Sequence, residues 1–406
     1  MQAIFMAAGA STRTEPLTLT RPKPMLPVLN EPLLAHQIRA VAPFVSEVVV
    51  VVGYRREMVE EHFGGSFEGT PIRYVVQQET RGTGHAVLQC SDVITSDTFL
   101  LFNGDDLYDP SDVKKLLVHS QGALAKEIAD PRLYGVYVVD TDRRATRIVE
   151  KPKEIISTLC NVGAYKLPKS IFRILESTAP SERGEIEITS AIETLLGQTP
   201  FHIVPMEGYW LPIGYAWDLL RANEYFIEHF LKNERHGEVS PGAELNGTVY
   251  VAEGAQVRSG VVIDGPVYIG RNASVGPNCW LRPGTTLCDG TRAGHAVEIK
   301  NSILMRGSAV PHLSYVGDSI VGEYANLGAG TITANFRHDA KNITTTVKGQ
   351  SVDTGRNKCG AIFADHVHTG INTSIYPGRK MWPHTVSFPG EVVRKDITEV
   401  KRVPQK

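Results

Sequence analysis

The sequence contains a loop of small and basic residues whose spacing suits phosphate chemistry. Ala-Ala-Gly-Ala-Ser-Thr-Arg occupies residues 7–13, and Arg-Pro-Lys-Pro follows at residues 21–24. Small residues let backbone N–H groups approach a phosphate, while Arg13 and Lys23 supply positive charge. No Gly-Lys-Ser/Thr follows, so this is not a Walker A loop. The stretch predicts phosphate binding, with a plain connecting loop as the alternative.

Two further segments carry groups that bind nucleotides and metals. Gln-Gln-Glu-Thr-Arg-Gly-Thr-Gly-His at residues 77–85 ends in small residues that open a predicted helix at 86–90. Asn-Gly-Asp-Asp at residues 103–106 places two carboxylates directly after an apolar run. Carboxylate oxygens suit Mg²⁺, which usually also bridges substrate phosphates. The alternative for this second segment is an Asp-Gly turn.

A third group of polar residues lies in the second half of the chain. Arg282 and Lys300 are followed by His312 and Tyr315, and then by Asn326, Asn335 and Lys341. A histidine that titrates near neutral pH can accept a proton from an attacking amine. A histidine on the surface without a function is the alternative for His312 taken alone.

The first half supplies strands that would position its loops. Residues 3–6, 47–52, 72–76, 98–102 and 135–139 form apolar runs, several of them nearly continuous. Continuous apolar strands are covered on both faces, which is typical of a mostly parallel sheet flanked by helices. Ligands of such sheets bind at the carboxyl ends of the strands. The pattern predicts an α/β domain, which ends in an amphipathic helix over residues 217–236.

The second half shows a six-residue repeat. Every sixth residue from Val239 to Met305 is aliphatic, and 21 of the 37 glycines lie between residues 239 and 390. A period of six with glycines at the corners predicts a parallel β-helix of hexapeptide repeats. The phase shifts after Ile299 and again by one residue before Val321. Polar residues 335–350 interrupt the repeat and predict an extruded loop.

Length, charge and cysteine content exclude several classes of protein. A chain of 406 residues predicts two or three domains, and its net charge of −2 gives no electrostatic surface for nucleic acid or an anionic membrane. No apolar run approaches the roughly 20 residues of a membrane helix. Five scattered cysteines form no metal-like pairs. We therefore expect a reduced, cytoplasmic protein without nucleic-acid or membrane partners.

The motifs of the first half, taken in order, resemble those of the nucleoside-diphosphate-sugar pyrophosphorylases. The loop at 7–13 and Pro-Lys-Pro-Met-Leu-Pro at 22–27 match the family signature, with Ser11 in place of its second glycine. Val-Glu-Lys-Pro at 149–152 and Asn-Val-Gly at 161–163 match its sugar-binding segments. Residues 183–189 also match, although Ser190 stands where aspartate is common. The resemblance implies a Rossmann-like nucleotide-diphospho-sugar transferase domain.

The resemblance also implies roles for individual residues. The activity is Mg²⁺-dependent attack of a sugar-1-phosphate on a nucleoside triphosphate, with release of pyrophosphate. The catalytic residues would be Arg13 and Lys23, and the metal ligand would be Asp105. The nucleotide-binding residues would be Ala8, Gly9, Gln77, Gly82, Thr83 and Gly104, and the sugar-binding residues would be Gly135, Glu150 and Asn161.

The sequence departs from this family at a second metal position. The family has Trp-x-Asp-x-Gly, whereas residues 210–214 read Trp-Leu-Pro-Ile-Gly, and Pro212 offers no side-chain oxygen. Three alternatives follow. Asp105 binds Mg²⁺ with phosphates and water, a neighbour such as Asp106 or Asp218 substitutes, or nucleotidyl transfer is weak or lost.

The second half resembles the acetyltransferase half of the bacterial bifunctional N-acetylglucosamine-1-phosphate uridylyltransferase/glucosamine-1-phosphate acetyltransferases. The matching segments are 281–284, 297–300, 312–318 and 326–333. This resemblance implies a left-handed β-helix with His312 as general base. The residues that would hold an amino-sugar phosphate are Arg282, Lys300, Tyr315, Asn326 and Lys341, and those that would line the acetyl-CoA site are Ala329 and Asn335. Phe336 replaces a family tyrosine, and the match is poor after Cys359.

Together these features predict an archaeal-type bifunctional sugar-1-phosphate nucleotidylyltransferase/acetyltransferase. Residues 1–235 would form the nucleotidylyltransferase domain, including the connecting helix 217–235. Residues 239–390 would form the acetyltransferase domain, and residues 391–406 a tail. The substrates would be UTP or dTTP, a sugar-1-phosphate and acetyl-CoA, and the resemblance implies a homotrimer or a dimer of trimers. The alternatives are a monofunctional nucleotidylyltransferase with a structural β-helix and a non-catalytic regulatory protein.

Overall fold

The computed structural model describes residues 1–400 and divides them into two compact units. The first unit contains Met1–Ala10, Pro22–Met25 and Pro32–Pro212. The second contains Ser11–Arg21, Leu26–Glu31 and Ile213–Lys406, of which residues 401–406 lie outside the described part. The division between the units therefore falls after Pro212, earlier in the chain than the predicted domain boundary near 235–239.

The first unit is built around a parallel core of four strands. Gln2–Met6 lies between Glu47–Val52 and Thr98–Asn103, and Thr70–Val76 pairs with Glu47–Val52 on its other side. Val48 to Val52 are fully buried, as a run of five valines covered on both faces requires. These four strands were predicted, and their pairing places the ends at Met6 and Asn103 side by side.

The remainder of this sheet is mostly antiparallel, which the expectation of a mostly parallel sheet missed. Leu159–Pro168 pairs antiparallel with Thr98–Asn103, with Gly122–Glu127 and with Gly135–Val139. The other strands of the first unit are Ser66–Phe67, Asp106–Tyr108, Ala145–Glu150, His202–Pro205 and Trp210–Pro212. The fold of this unit is a Rossmann-like α/β arrangement with a mixed sheet.

Helices cover both faces of the sheet. Pro110–Leu117 shows why they form where they do, because the side chain of Asp109 accepts a hydrogen bond from the Ser111 N–H at 2.8 Å and caps the helix. Its proline occupies the first turn, where no intrahelical donor is needed. The other helices of this unit are Leu33–Val41, Arg56–Phe63, Thr83–Leu88, Ile171–Ser177 and Ile188–Leu196.

The second unit is a parallel β-helix, as the six-residue repeat predicted. Val249 pairs with Val267, which lies 18 residues further on, so three hexapeptides complete one coil. The inward column Val251, Ile269 and Leu287 is fully buried. Glycine and asparagine occupy the corners, as at Gly260, where φ is 75° and a side chain is disfavoured.

The strands form three sheets, one for each face of the solenoid. The first is Glu238–Val239, Gln256–Val257, Ser274–Val275, Arg292–His295, Ala309–His312, Asn326–Leu327 and His368–Thr369. The second is Glu244–Asn246, Val262–Asp264, Trp280–Leu281, Glu298–Lys300, Tyr315–Gly317, Ile332–Thr333, Ser374–Ile375 and Val392–Val393. The third is Val249–Val251, Val267–Ile269, Thr285–Leu287, Ile303–Leu304, Ile320–Val321, Ile362–Phe363 and Lys380–Met381.

The predicted phase shifts correspond to shorter coils and an extruded loop. Leu304 pairs one coil on with Val321, 17 residues away, instead of 18. Val321 then pairs with Phe363, so the intervening loop leaves the solenoid. That loop contains the hairpin Thr344–Val347 with Gln350–Asp353 and closes where residues 336 and 358 form a bridge. The interruption is thus longer than the predicted 335–350.

Both ends of the solenoid extend beyond the predicted limits. The helix predicted over 217–236 is Asp218–Phe230, and Arg235 already bridges to Val251. This helix packs in the second unit, where Asn223 accepts a hydrogen bond from Thr286 Oγ1 at 2.8 Å. At the other end, residues predicted as a tail from 391 continue the solenoid, because Val393 and Ile397 are buried in its core. The last part of that predicted tail, 401–406, lies outside the described residues.

Short elements complete the second unit. Pro27–Val28 is a strand of two residues in this unit, and it pairs with Glu31–Pro32, whose second residue belongs to the first unit. The five cysteines are free and buried. Over residues 1–400, no helix combines the length and apolar character needed to cross a bilayer.

Candidate active sites

A cleft at the carboxyl ends of the first unit's parallel strands is lined by two of the predicted nucleotide-binding residues, Ala8 and Gln77. It has a volume of about 420 Å³, and its lining includes Ala8, Gly53, Gln77 and Thr80. A Cβ on Gly53 would lie 2.8 Å from the Ala8 carbonyl oxygen, so only glycine allows this approach. Gly9 continues the same loop at the surface. The sequence reading overlooked Gly53, whose only signal was its position after the apolar strand 47–52.

The loop that begins at Gln77 is held by hydrogen bonds within the loop and by the segment 183–189. Gln77 Nε2 donates to the Gly82 carbonyl at 3.3 Å and lies 3.1 Å from His85 Nδ1. Gly82 has φ 103°, and a Cβ there would lie 3.0 Å from the Ile186 nitrogen. The Ile188 N–H donates to Thr83 Oγ1 at 3.1 Å. Part of segment 183–189, which matches the family pattern, therefore supports this loop.

Lys23 and Asp105 form an ion pair at the end of the central strands. Lys23 Nζ lies 2.6 Å from Asp105 Oδ2. The lysine side chain is buried, whereas 37% of the aspartate side chain is exposed. The Gly104 N–H donates to the Met6 carbonyl at 3.0 Å, and the strand end there is too close for a Cβ. The predicted catalytic lysine and metal ligand are thus in direct contact.

Asp106 and Pro212 lie beside this pair. The short strands Asp106–Tyr108 and Trp210–Pro212 are antiparallel and place residue 212 opposite Asp106. Asp106 Oδ2 accepts hydrogen bonds from Asn103 Nδ2, the Tyr108 hydroxyl and Trp210 Nε1, each at 3.3 Å. Burial and the nearby Asp105 charge raise the pKa of Asp106. Asp106 is therefore satisfied by protein donors and is a poor substitute ligand.

The second proposed substitute lies in the other unit. Asp218 is at the start of the helix Asp218–Phe230, and its Oδ2 accepts a hydrogen bond from the Tyr215 N–H at 2.8 Å. Of the three aspartates considered, Asp105 therefore remains as the metal-ligand candidate, and its carboxylate is partly exposed beside Lys23. It fits Mg²⁺, which needs only one or two carboxylates when substrate phosphates supply further oxygens. Residues 1–400 contain no cluster of three or more acidic, histidine or cysteine side chains that could hold a metal unaided.

The three predicted sugar-binding residues of the first unit come together on neighbouring strands. Gly135 pairs with Glu150, and a Cβ on Gly135 would lie 2.9 Å from Glu150 Oε2 and 3.6 Å from Asn161 Cβ. Asn161 accepts a hydrogen bond from the Tyr137 hydroxyl at 3.1 Å and donates one to Tyr165 at 2.8 Å. Burial raises the pKa of Glu150, which lines a cleft of about 590 Å³.

Arg13 belongs to the second unit. Its guanidinium carbon lies 5.7 Å from the centroid of the Tyr215 ring, within the range of a cation–π interaction. Tyr215 in turn stacks on Trp217, with centroids 4.5 Å apart and planes inclined by 5°. The sequence reading gave Arg13 a role without identifying either aromatic partner.

In the solenoid, Asp318 brings several predicted residues together. Lys300 Nζ lies 3.4 Å from Asp318 Oδ2, and Asn335 Nδ2 donates to the same oxygen at 2.6 Å. Asn301 Nδ2 donates to Asp318 Oδ1 at 2.8 Å, and Asn335 also donates to the Tyr315 hydroxyl at 3.1 Å. Asp318 is buried and has φ 48°. Sequence reasoning gave Asp318 no role, although the residue lies in the matching segment 312–318.

Arg282 lies on the same face of the solenoid. It pairs with Glu298 at 2.8 Å, and its guanidinium lies 4.7 Å from the Trp280 ring centroid. Trp280, Glu298 and Tyr315 occupy equivalent positions on successive coils. Burial raises the pKa of Tyr315. Arg282, Lys300, Tyr315 and Asn335 therefore lie in one region of the solenoid.

His312 and Asn326 lie on the adjacent face. His312 is exposed at the end of Ala309–His312, beside His295 of the preceding coil. Asn326 pairs with Ala309 of the preceding coil, and the Ala329 carbonyl accepts a hydrogen bond from the Asn372 N–H at 2.7 Å. A separate cleft of about 570 Å³ is bounded by Lys300, Asp318 and the extruded loop. Lys341 is exposed on that loop, and its two chain neighbours line the cleft.

Comparisons with known proteins cover both halves of the chain. A family model described as nucleotidyl transferase matches residues 2–229, and one described as GMPPB C-terminal domain matches residues 263–376. The bifunctional protein GlmU of Methanococcus vannielii is 38% identical over 412 residues, covering 100% of this chain and 98% of that protein. The bifunctional sugar-1-phosphate nucleotidylyltransferase/acetyltransferase of Sulfurisphaera tokodaii is 37% identical over 401 residues, covering 98% of each.

A solved structure is similar to the first part of the chain. A UDP-glucose pyrophosphorylase complexed with UDP-glucose is 26% identical, with a TM-score of 0.53. It covers 56% of this chain and 98% of its own.

Proposed function

The chain belongs to the nucleotidyl transferase family and, over its full length, to the bifunctional sugar-1-phosphate nucleotidylyltransferases/acetyltransferases; from that premise we propose that it carries out both reactions. One activity acetylates an amino-sugar-1-phosphate, for which glucosamine-1-phosphate is our candidate, with acetyl-CoA. The other joins a sugar-1-phosphate to the nucleotidyl group of UTP or dTTP and releases pyrophosphate. The product is a nucleotide-activated amino sugar.

The Lys23–Asp105 pair carries the proposal for nucleotidyl transfer. The sugar-phosphate oxygen attacks the α-phosphorus in line, the new P–O bond forms and pyrophosphate leaves, so the step needs little proton transfer. It depends on positioning and on charge neutralisation. Lys23 would contact the α-phosphate and sugar phosphate, and Arg13 the transferring and leaving phosphates. Mg²⁺ bound by Asp105 and the phosphates would neutralise part of the triphosphate charge.

Other residues of the first unit would select the substrates. Gln77 and Thr83 would contact the base, and Ala8, Gly9, Gly82 and Gly104 would complete the nucleotide-binding loops. Gly135, Glu150 and Asn161 would hold the sugar. The contacts between Gly135 and Glu150 and the cleft lined by Ala8 and Gln77 support these assignments.

The grouping of polar residues around Asp318 carries the proposal for acetyl transfer. The amine nitrogen attacks the thioester carbonyl, the C–N bond forms, the C–S bond breaks and the thiolate of CoA leaves. His312 would accept the proton released by the amine. The residues that would hold the amino-sugar phosphate are Arg282, Lys300, Tyr315, Asn326 and Lys341, and those lining the acetyl-CoA site would be Ala329 and Asn335.

The same family membership supports our proposals on architecture. The β-helix would be left-handed, and the protein would form a homotrimer or a dimer of trimers with acetyl sites at subunit contacts. The functional boundary would fall near residues 235–239, which agrees with the nucleotidyl transferase match ending at residue 229. The helix Asp218–Phe230 would thus belong functionally to one half while packing in the other unit.

A second candidate function is transfer of the acetyl group alone, with nucleotidyl transfer weak or lost. Pro212 favours it, since proline supplies no metal ligand opposite Asp106. The intact Lys23–Asp105 pair favours the bifunctional assignment. The retained His312, Tyr315 and Asn335 oppose the other alternative, a monofunctional nucleotidylyltransferase with a structural β-helix.

One paired assay separates these functions. The full-length protein is incubated with glucosamine-1-phosphate, acetyl-CoA, Mg²⁺ and either UTP or dTTP, and free thiol and pyrophosphate are measured separately. We expect both products. Absence of thiol release would contradict the acetyltransferase, and absence of pyrophosphate with both triphosphates would contradict the nucleotidylyltransferase. Omitting each substrate in turn gives the background rates.

A further inference from the structure

The segment Ser11–Arg21, which carries Arg13, packs within the second unit although it lies near the start of the chain. Arg21 at its end is buried between two carboxylates of the solenoid. Arg21 Nη1 lies 2.6 Å from Glu323 Oε1, and Nη2 lies 2.5 Å from Asp365 Oδ2. A buried guanidinium that lost these partners would be strongly unfavourable, so this end of the segment has one position.

The middle of the segment is fixed by a buried lysine of the solenoid. Lys380 Nζ donates to the Glu15 carbonyl at 3.3 Å and to the Thr346 carbonyl at 2.7 Å. Only 2% of Lys380 is exposed. Its ammonium therefore connects the segment to the extruded loop, which contains Thr346. Both acceptors are main-chain atoms, so this contact fixes the path of the chain and not only one side chain.

The third contact is the one made by Arg13 itself. Its guanidinium lies over Tyr215, which stacks on Trp217. Trp217 is buried against Ile343, Val347 and Cys359 of the extruded loop and its end. Arg13 is thus one end of a continuous set of contacts that reaches the loop carrying Lys341.

We propose that Tyr215 and Lys380 are positioning residues for nucleotidyl transfer, and that they act through Arg13. This inference rests on the proposed function. An exposed arginine loses side-chain conformational entropy when it is fixed. Contacts made before substrate arrives remove part of that cost, so they favour the rate at which phosphates are transferred.

The test compares two substitutions at one ring. Tyr215→Leu removes the aromatic face, whereas Tyr215→Phe keeps it. The full-length variants are assayed for pyrophosphate release, with kcat and the KM for the triphosphate measured separately. We expect Tyr215→Leu to lower kcat about tenfold, in line with a cation–π contact, with KM changed less than threefold. Tyr215→Phe should retain at least half the original kcat.

Tyr376 offers a matched control, because Arg394 lies 5.9 Å from its ring centroid in a similar contact elsewhere in the second unit. Tyr376→Leu should leave kcat for pyrophosphate release unchanged. An unchanged kcat in Tyr215→Leu, or an equal loss in Tyr215→Phe, would overturn the positioning role while leaving the proposed function intact. No pyrophosphate release by the unsubstituted protein would contradict the nucleotidyl transfer itself, and the positioning role with it.

A second substitution tests the same inference from the other side. Lys380→Met removes the ammonium but keeps an unbranched side chain of similar length. We expect kcat for pyrophosphate release to fall at least threefold, whereas Lys395→Met, at an exposed lysine of the same solenoid end, should leave it unchanged. A melting temperature recorded for each variant identifies general unfolding. A folded Lys380→Met protein with unchanged kcat would contradict the role of Lys380.

Discussion

Pro212 lies directly opposite Asp106 in the short antiparallel pair formed by Trp210–Pro212 and Asp106–Tyr108. Opposite side chains of such a pair project from the same face with their Cβ atoms roughly 5 Å apart. A carboxylate at residue 212 would therefore stand beside Asp106 and close to the exposed Asp105. The resemblance implies a second metal ligand at this place, and the proline here offers no side-chain oxygen.

Replacing this proline should strengthen nucleotidyl transfer. In Pro212→Asp, a second carboxylate becomes available to Mg²⁺ next to Asp105. We expect kcat/KM for pyrophosphate release to rise about tenfold at limiting Mg²⁺, with a lower Mg²⁺ concentration at half-maximal rate. A magnesium titration of the initial rate measures both. Pro212→Ala is the control, and an equal gain in that variant would attribute the effect to the backbone.

The raised pKa of Asp106 gives a prediction for stability against pH. Because the folded state raises this pKa, Asp106 contributes stability below its unfolded pKa of about 4, and this contribution is lost as pH rises through the folded pKa. Asp106→Asn keeps an acceptor oxygen without the charge. The free energy of unfolding of Asp106→Asn, minus that of the unsubstituted protein, should therefore increase as pH rises from 4 towards neutrality.

Urea denaturation in EDTA at a series of pH values measures this difference without bound Mg²⁺. The slope should not exceed about 1.4 kcal/mol per pH unit, the limit for one proton. Parallel stability curves for the two proteins would show that Asp106 ionises in the folded state as it does in the unfolded chain.

Asp318→Asn should impair acetyl transfer selectively. Asp318 accepts hydrogen bonds from Asn301 and Asn335 and pairs with Lys300. An amide group at this position turns one acceptor into a donor, which then faces another donor. We expect kcat/KM for thiol release to fall about tenfold, with pyrophosphate release unchanged. Asp353→Asn, at an exposed carboxylate of the extruded loop, serves as the control, and an equal loss there would refute the specific role of Asp318.

The general base is tested by His312→Gln. Loss of a positioned base should reduce kcat for thiol release at least about a hundredfold, because the amine must then lose its proton to water. His295 lies beside His312 on the preceding coil and is also exposed, so His295→Gln is a closely matched control. Acetyl transfer at the original rate in His312→Gln would exclude this histidine as the base.

The solenoid was predictable because its inward-facing apolar positions recur at a fixed spacing along the sequence. An inward position recurs at a fixed spacing and must be filled by an apolar side chain, so the period and its shift could be read from the sequence alone. Leu304, Val310 and Val321, which follow the shift, are all fully buried. The five valines of Glu47–Val52 gave an equally direct signal for a strand covered on both faces.

Other elements lacked such a local signal. Leu159–Pro168 contains Asn161, Gly163 and Lys166, and its apolar pattern is interrupted accordingly. Lys166 is buried because its ammonium donates to the Leu117 and His119 carbonyls, which no pattern within the strand indicates. The strand is specified by partners distant in sequence, and the predicted parallel sheet missed it for that reason.

The candidate sites divide in the same way. Motifs predicted Lys23 and Asp105, which prove to be in contact, and a grouping around Lys300 and Tyr315. Asp318 was overlooked because its importance comes from the donors that converge on it. The placement of Arg13 in the second unit was likewise unpredictable. Its segment, Ser11–Arg21, is held there by ion pairs of Arg21 with Glu323 and Asp365, which are 302 and 344 residues away in sequence.

The burial of Arg21 between Glu323 and Asp365 also constrains how such a chain can be recombined. A gene fusion that joined this first half to a foreign solenoid at residue 235 would deliver a guanidinium without its carboxylates, or the carboxylates without their guanidinium. Either mismatch leaves an unpaired charge in the interior, at a cost of roughly 3–5 kcal/mol. Residues 21, 323 and 365 are therefore expected to be inherited as a set, and a chimeric enzyme built from two relatives needs the segment Ser11–Arg21 from the same parent as its solenoid.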